Sequence, residues 1–422
     1  MSPTLTNWAG NIVFRAGEVH RPETLEELRT LVTRADKVRV LGSGHSFNDI
    51  ADSPGVLVSP SRLPRELELD TAAGAVRVSA GIRYAELSAW LHERGFALHN
   101  LASLPHISVA GSCATATHGS GDGNGNLATA VRALTLVTAE GDLVDLDRER
   151  DGDRFRGAVV GLGALGVVVS MTLDVEPTFE VRQRVYEDLP LEAACDHFSD
   201  IMGCAYSVSM FSDWTSSRIN QVWVKERVDE DGSRPPGPAS FGAKPADGPR
   251  HPIARMPAGN CTEQLGVPGP WFARLPHFRP EFTPSGGQER QAEYLVPRRH
   301  AVAALRELAA IGDRIAPVLQ ISEIRTIAAD DLWLSPCQGR DTVGFHFTLI
   351  PDTAAVLPVL ELIEERLAPF EARPHWGKLF TTPPAVLRSR YDRLPDFQAL
   401  ARDLDPGGKF ANEFISRNLL DA

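Results

Sequence analysis

The stretch that decides the fold is Val40-Leu-Gly-Ser-Gly-His-Ser-Phe-Asn48. It continues a short β-branched run, Val38-Arg-Val-Leu41, so a strand ends in a glycine turn. Gly42 and Gly44 open the positive-φ region, and successive backbone N–H groups can then converge into an anion nest around His45. Read alone, this is as well explained by a plain turn. A second segment shifts the balance: Ala102-Ser-Leu-Pro-His-Ile-Ser-Val-Ala-Gly-Ser-Cys-Ala-Thr-Ala-Thr-His-Gly-Ser-Gly121 is uncharged apart from its histidines and poor in helix signals. Two such loops in one part of a chain suit a long cofactor with a pyrophosphate at its middle.

Working outward, residues 1–177 alternate strands and helices. Pro22 and two acids open a helix carrying Leu25, Leu28, Leu31 and Val32 at helical spacing. Ala75-Val-Arg-Val-Ser79 alternates as a half-buried strand, and Ala85 to Arg94 is a helix closed by Gly95. Arg132–Thr138, a turn at Ala139-Glu-Gly-Asp142, and Leu143–Leu146 predict a hairpin. Gly161-Leu-Gly-Ala-Leu-Gly166 fits G-x-G-x-x-G, but the run after it, Val167 to Val175, is a strand. A dinucleotide fingerprint needs a helix there, so the segment reads as a tight turn that lets backbone approach a ligand. Residues 178–379 read as a second domain, interrupted at 229–259, where seven Pro leave no periodicity and predict a surface loop, a lid or an interface arm. Val296 to Leu308 and Thr353 to Leu367 are predicted helices. Residues 380–422 are read as a return to the first domain.

Composition excludes several classes. The formal charge is −12, which disfavours nucleic acid and anionic membrane surfaces. Five Cys without a CxxC point to a reducing compartment, hence the cytoplasm, and against structural zinc. The histidines show no H-E-x-x-H spacing, so no metal is expected. The start MSPTLTNWAGN has no basic, apolar signal pattern. Gly157 to Leu173 is uncharged but short for a membrane span and holds four Gly. No G-x-S-x-G elbow supports a hydrolase. No coiled coil is apparent, and a monomer is expected.

In Leu319-Gln-Ile-Ser-Glu-Ile-Arg325, alternation puts Ile321, Glu323 and Arg325 on one face and Ile324 on the other. In Val343-Gly-Phe-His-Phe-Thr-Leu349, Gly344, His346 and Thr348 share a face, and Val343, Phe345, Phe347 and Leu349 share the opposite one. Two polar strand faces could floor a hydroxyl-rich site. On the residues alone, Glu323 and Arg325 fit a surface ion pair, His346 a hydrogen-bonded core histidine, and Lys378 (one of only five Lys) a solvated lysine.

The Gly-Ser-Gly-His-Ser turn, the Ser108-Val-Ala-Gly…Thr117-His-Gly-Ser-Gly segment and Gly163-Ala-Leu-Gly-Val-Val168 resemble the FAD domain of the vanillyl-alcohol oxidase superfamily. Asn260-Cys-Thr-Glu-Gln, Glu323-Ile-Arg-Thr, Pro374-His-Trp-Gly-Lys378 and the C-terminal Leu-Asp-Pro…Phe-Ala-Asn412 are similar to alditol oxidases, xylitol oxidase among them, which neighbour the aldonolactone oxidases. The resemblance covers nearly the whole chain. It implies an α+β fold: an FAD-binding domain, and a substrate domain whose antiparallel sheet covers the flavin ring. It implies FAD bound covalently through His45. No Cys lies between Ser103 and Ile107 to make a second link, and Cys113 is expected to be a small core residue. Leu41, Gly42, Ser43, Gly44, His45, Ser46, Ala102, Ser103, Ser108, Gly111, Thr115, Thr117, His118, Gly119, Val168 and His375 are implied to contact FAD. Ser103, Glu323, Arg325, Thr348 and Lys378 are implied to bind substrate, with Arg325 and Lys378 catalytic and His346 a candidate for the proton. The implied activity is oxidation of the terminal (C1) hydroxyl of alditols such as xylitol and sorbitol to the aldose, with O2 reduced to H2O2. The alternative is a sugar-1,4-lactone oxidase or dehydrogenase of the aldonolactone oxidase family.

Overall fold

A computed structural model describes residues 5–228, 234–282 and 288–420. The strand that feeds the first glycine turn, Val38–Val40, lies at the edge of a three-stranded parallel sheet with Val56–Val58 and Val19–His20. The predicted amphipathic helix, Leu25–Arg34, packs Leu28 and Val32 against Val38 and Val58. Thr24 caps it by accepting from the Glu27 N–H at 3.1 Å, with Glu26 and Glu27 in its first turn.

A five-stranded antiparallel sheet follows, in the order Leu67–Asp70, Ala75–Ser79, Val167–Asp174, Val131–Val137, Leu143–Asp147. It contains the expected hairpin and the strand after Gly166. The uncharged run from Gly157 to Leu173 is core here, with Val159, Leu162, Leu165 and Met171 all buried. No helix among the described residues is long and apolar enough to cross a membrane.

The second half is organised on a nine-stranded antiparallel sheet. Its centre runs Arg218–Arg227, Ser207–Ser212, Leu319–Ile327, Thr342–Leu349, Arg290–Pro297. One face buries Ile324, Val343, Phe345, Phe347 and Leu349 beneath Ala301–Ala310 and Thr353–Leu367. The other face carries the polar residues, as the alternation of the two strands predicts.

Three expectations need correction. Val296-Pro297 ends a strand rather than starting a helix, and the helix begins at Ala301. The polar alternation of Arg290-Gln-Ala-Glu-Tyr-Leu-Val was the signal for that strand. In the 229–259 stretch, residues 229–233 lie outside the described residues. The remainder packs on the body: Pro238–Phe241 forms a 3-10 turn, Lys244–Pro245 pairs with Glu180–Pro190, and Pro252 and Ile253 line the main cavity. The second glycine-rich loop does contain a helix, Val109–Ala114, begun at Ser108.

The C-terminal segment is tied to the first glycine turn. Phe410 completes the core of Leu28, Val32 and Val38. Asn412, 5% exposed, donates to the carbonyls of Asp49, Ile50 and Asp52 at 3.0, 3.2 and 2.8 Å and accepts from the Ile415 N–H at 3.0 Å. Asn412→Ala removes all four contacts. It is expected to cost about 2–3 kcal/mol of stability, read as a lowered thermal midpoint. An unchanged midpoint would show that this tie is not needed.

Candidate active site

One cleft, with about 1960 Å³ of atom-free space including some open solvent, runs between the glycine loops and the polar face of the large sheet. The loop side begins at Gly42–Ser46. Trp8 lies against His45, ring centroids 4.3 Å apart and tilted by 36°, and the Trp8 backbone N–H donates to Gly44 O at 2.8 Å. His45 Nε2 is buried with no hydrogen-bond partner. Burial takes its pKa down to about 3, helped by Lys378, so the ring is a neutral nitrogen base. The turn is joined to the His375-Trp-Gly-Lys378 segment: Phe47 N–H donates to Gly377 O at 2.8 Å, and Asn48 Nδ2 donates to Trp376 O and Lys378 O at 2.8 and 2.7 Å. Two motifs some 330 residues apart in sequence are thus one structure.

The second loop presses on the first. A Cβ at Gly42 or Gly111 would lie 2.5 or 2.7 Å from Ser108 Oγ, so a side chain at either position would displace that hydroxyl. Ser108 Oγ itself is buried without a partner. The Gly161–Gly166 turn joins the same wall, with Leu162 O and Gly163 O each accepting from Arg39 at 2.8 Å. Orphaned Ser108 Oγ, orphaned His45 Nε2 and bare glycine backbone along one elongated cleft fit a dinucleotide such as FAD.

The sheet side is set by register. Glu293, His346 and Glu323 are direct cross-strand neighbours in one row, followed by Phe211. The next rows bring Gln291, Thr348 and Ile321 together on one side, and Leu295, Gly344 and Arg325 on the other. Arg325 donates to Glu293 Oε1 at 2.6 Å, and its Nε lies 3.6 Å from Glu323 Oε1. A side chain at Gly344 would meet Glu293 Oε1 at 3.3 Å, so the glycine keeps this crossing open. Arg325 also reaches Ser103 Oγ and His118 O, both at 3.4 Å. His346 lies between Glu293 Oε2 and Thr348 Oγ1, 3.3 Å from each. His118 Nε2 is 3.1 Å from Glu293 Oε1. Lys378 donates to Gln291 and sits 5.0 Å over the Phe47 ring.

Charge is balanced inside this wall. Burial pushes the Glu293 carboxyl up, but Arg325, His118 and His346 together outweigh it and hold the group well below its usual range. Glu323 behaves likewise: burial is overcome chiefly by Arg325 and His277, and the carboxylate persists. Burial lowers Arg325 less than Glu323 and Glu293 raise it, so it stays charged. Burial brings Lys378 down to about 8, with Glu293 opposing. Burial also lowers His346, against the pull of Glu293.

The cavity lining includes every residue the sequence proposed except Gly119. A Cβ at Gly119 would meet Leu101 O at 2.4 Å, so this position packs loop on loop behind His118. Glu323 and Arg325 are 5% and 6% exposed, which removes the surface-pair reading. Cys113 is core, 3.6 Å from the Tyr84 hydroxyl. Sequence reasoning missed Gln291, Glu293 and His277. The first two were visible as alternation in their strand. His277, in the loop Leu275-Pro-His-Phe278, had no pattern to reveal it. Among the described residues, no group of three or more His, Cys, Asp or Glu is arranged to hold a metal ion.

Glu293→Gln leaves the Arg325 guanidinium with only the more distant Glu323. It should cost about 3 kcal/mol at neutral pH, measured by denaturant titration. The wild-type carboxyl is held below its ordinary 4.5, so its stabilisation is present above that pH and is lost as pH falls further. The gap between wild type and variant should therefore narrow in acid, and a constant gap would contradict the ion-pair account.

Comparison with known proteins agrees with this geometry. Residues 17–147 match the FAD binding domain family, and residues 288–418 match the D-arabinono-1,4-lactone oxidase family. The chain is 55% identical to the alditol oxidase of Streptomyces sp. over 100% of both chains. It is 30% identical to L-gulono-1,4-lactone dehydrogenase of Mycobacterium tuberculosis, over 99% of this chain and 100% of that one. Cholesterol oxidase from Brevibacterium sterolicum shares the fold, with a TM-score of 0.77 at 16% identity over 99% of this chain and 96% of that one. The fold is therefore the α+β, vanillyl-alcohol-oxidase-like one, and the chain belongs to the alditol oxidase family of FAD-binding enzymes.

Proposed function

We propose that this enzyme oxidises the terminal hydroxyl of an alditol such as xylitol or sorbitol to the aldose, with FAD joined covalently to His45 and O2 reduced to H2O2. The observation that carries the reading is the cross-strand row Glu293–His346–Glu323 with Arg325, Thr348 and Lys378 around it. It is a buried, polar, charge-balanced wall on a cleft whose other side is glycine backbone. The tether is supported by His45 Nε2, a neutral, unpartnered ring nitrogen on a residue that lines that cleft. Residues 1–177 and 380–422 would hold the cofactor, and residues 178–379 would present the substrate.

Bound flavin supplies the acceptor for the hydride leaving the substrate carbon, and its electrons pass to O2. The chain's own groups do the rest. Arg325 and Lys378 put positive charge beside the hydroxyl oxygen as it gains negative charge, in a site largely closed to water. His346, neutral because it is buried, can accept the hydroxyl proton at a ring nitrogen, and Glu293 stabilises the cation that results. Glu323, Ser103 and Thr348 hold the remaining hydroxyls, and a substrate lacking one leaves a buried polar group unpaired. All five cysteines are buried free thiols, which fits a reducing compartment such as the cytoplasm.

Lys378→Ala and Arg325→Ala should keep their flavin while flavin reduction by xylitol slows about 100-fold or more; full-rate reduction would remove that residue from the mechanism. Lys378 is an ammonium below about 8 and a neutral amine above. Wild-type kcat/KM should fall as pH rises through that value, and Lys378→Met should lack the fall. Acid precipitation of the pure protein should carry the yellow colour into the pellet, whereas His45→Ala should release it. The D-arabinono-1,4-lactone oxidase match keeps lactones as the second reading, and peroxide formation with xylitol against a galactonolactone separates the two.

A further inference from the structure

Behind Glu323 stand two polar residues that the proposed chemistry does not use. Lys225, in the strand Arg218–Arg227, is 1% exposed and does not line the cavity. Its ammonium donates to Leu275 O, to Pro276 O at 3.3 Å and to His277 Nδ1 at 3.0 Å. Among the described residues no carboxylate pairs with it directly, and burying an ammonium is costly unless its protons are all placed. Here each of the three protons has an acceptor. His277, buried between Phe211 and Trp223, turns its other nitrogen to Glu323: Nε2 to Oε1 is 2.7 Å.

These contacts fix the position of a proton. An ammonium has no lone pair, so His277 Nδ1 must accept and the ring hydrogen must sit on Nε2. The other end demands the same tautomer, because the Glu323 carboxylate can only accept. Burial brings Lys225 down to about 7, and with two protons its nitrogen can accept as well as donate; the Glu323 carboxylate, which can only accept, then fixes the ring hydrogen on Nε2 by itself. Both contacts to Glu323, from His277 and from Arg325 Nε, fall on Oε1. Oε2 has no hydrogen-bond partner among the described residues, on a side chain that lines the cavity.

We propose that Lys225 and His277 are positioning residues that hold Glu323 as a one-sided acceptor, with Oε1 occupied from behind and Oε2 reserved for a substrate hydroxyl. This rests on the polyol reading of the site and deepens it. The Lys225–His277–Glu323 chain makes the pocket select for an O–H donor at that point. A ligand bearing a bare carbonyl or ring oxygen there faces a carboxylate it cannot satisfy. The triad is also anchored to the loop opposite: His277 N–H and Phe278 N–H both donate to Ser103 O, at 3.1 and 3.2 Å. The residue that orients Glu323 thereby sets the height of Ser103, another proposed substrate contact.

The decisive measurement is nitrogen-15 NMR of the holoenzyme labelled at histidine, with the His277 signals assigned by their loss in His277→Gln. The inference expects Nδ1 to resonate as a bare nitrogen and Nε2 as a protonated one, from mildly acidic to mildly alkaline pH. A protonated Nδ1, or an imidazolium, overturns it. In kinetics, Lys225→Met and His277→Leu should raise KM for xylitol about tenfold or more with kcat little changed, because a binding hydrogen bond is lost. His277→Gln, which still offers an N–H to Glu323, should recover much of the affinity. An unchanged KM in both Lys225→Met and His277→Leu refutes the positioning role. If no polyol reduces the wild-type flavin, the functional reading fails while the tautomer is still judged by the spectrum. If polyols do reduce it and the ring is protonated at Nδ1, only the positioning inference fails.

Discussion

A guanidinium and a carboxylate 2.6 Å apart, both almost out of water, hold the site together. Burying either alone would cost several kcal/mol, so Arg325 and Glu293 depend on each other. Their pairing has consequences on all sides. Glu293 gathers His118 from the glycine loop and His346 from the neighbouring strand. Arg325 reaches Ser103 and the His118 carbonyl. Through these contacts the pair is one of the ties between the large sheet and the glycine loops, beside Gly121 N–H to Thr326 O at 2.9 Å and the Ser103 carbonyl held by His277 and Phe278.

A second constraint is space. Ser108 Oγ sits where side chains at position 42 or 111 would have to go. Side chains there would push that hydroxyl aside, so both glycines ease the approach of the two loops. The same economy appears at Gly344, whose missing side chain lets Arg325 cross to Glu293. Glycine in this protein marks close approach as much as flexibility.

Much of the fold was legible because two periodicities are strongly written. Glu323 and Arg325 alternate with Ile324, and His346 and Thr348 alternate with Phe345 and Phe347, so the polar face of each strand could be read directly. The glycine turn before His45 and the strand after Gly166 were equally plain. Errors arose where local signals compete. Val296-Pro297 carries helix-compatible neighbours, yet Pro297 ends a buried strand that pairs with Thr342–Leu349. The proline-rich 234–259 stretch has no period, and its packing comes from long-range contact alone.

The glycine turns and the strand alternation by themselves determined where a long cofactor could lie and which faces are polar, because those properties follow from neighbours within a few residues; the fold class and FAD were implied by the family resemblance of the motifs. Tertiary structure alone decided which polar residues meet. The register that aligns Glu293 with His346 and Glu323, and the loop that delivers His277 between Lys225 and Glu323, join residues 23 to 53 positions apart. No local pattern can encode such pairings, since each rests on sheet register and on the cost of leaving a buried charge without its partner.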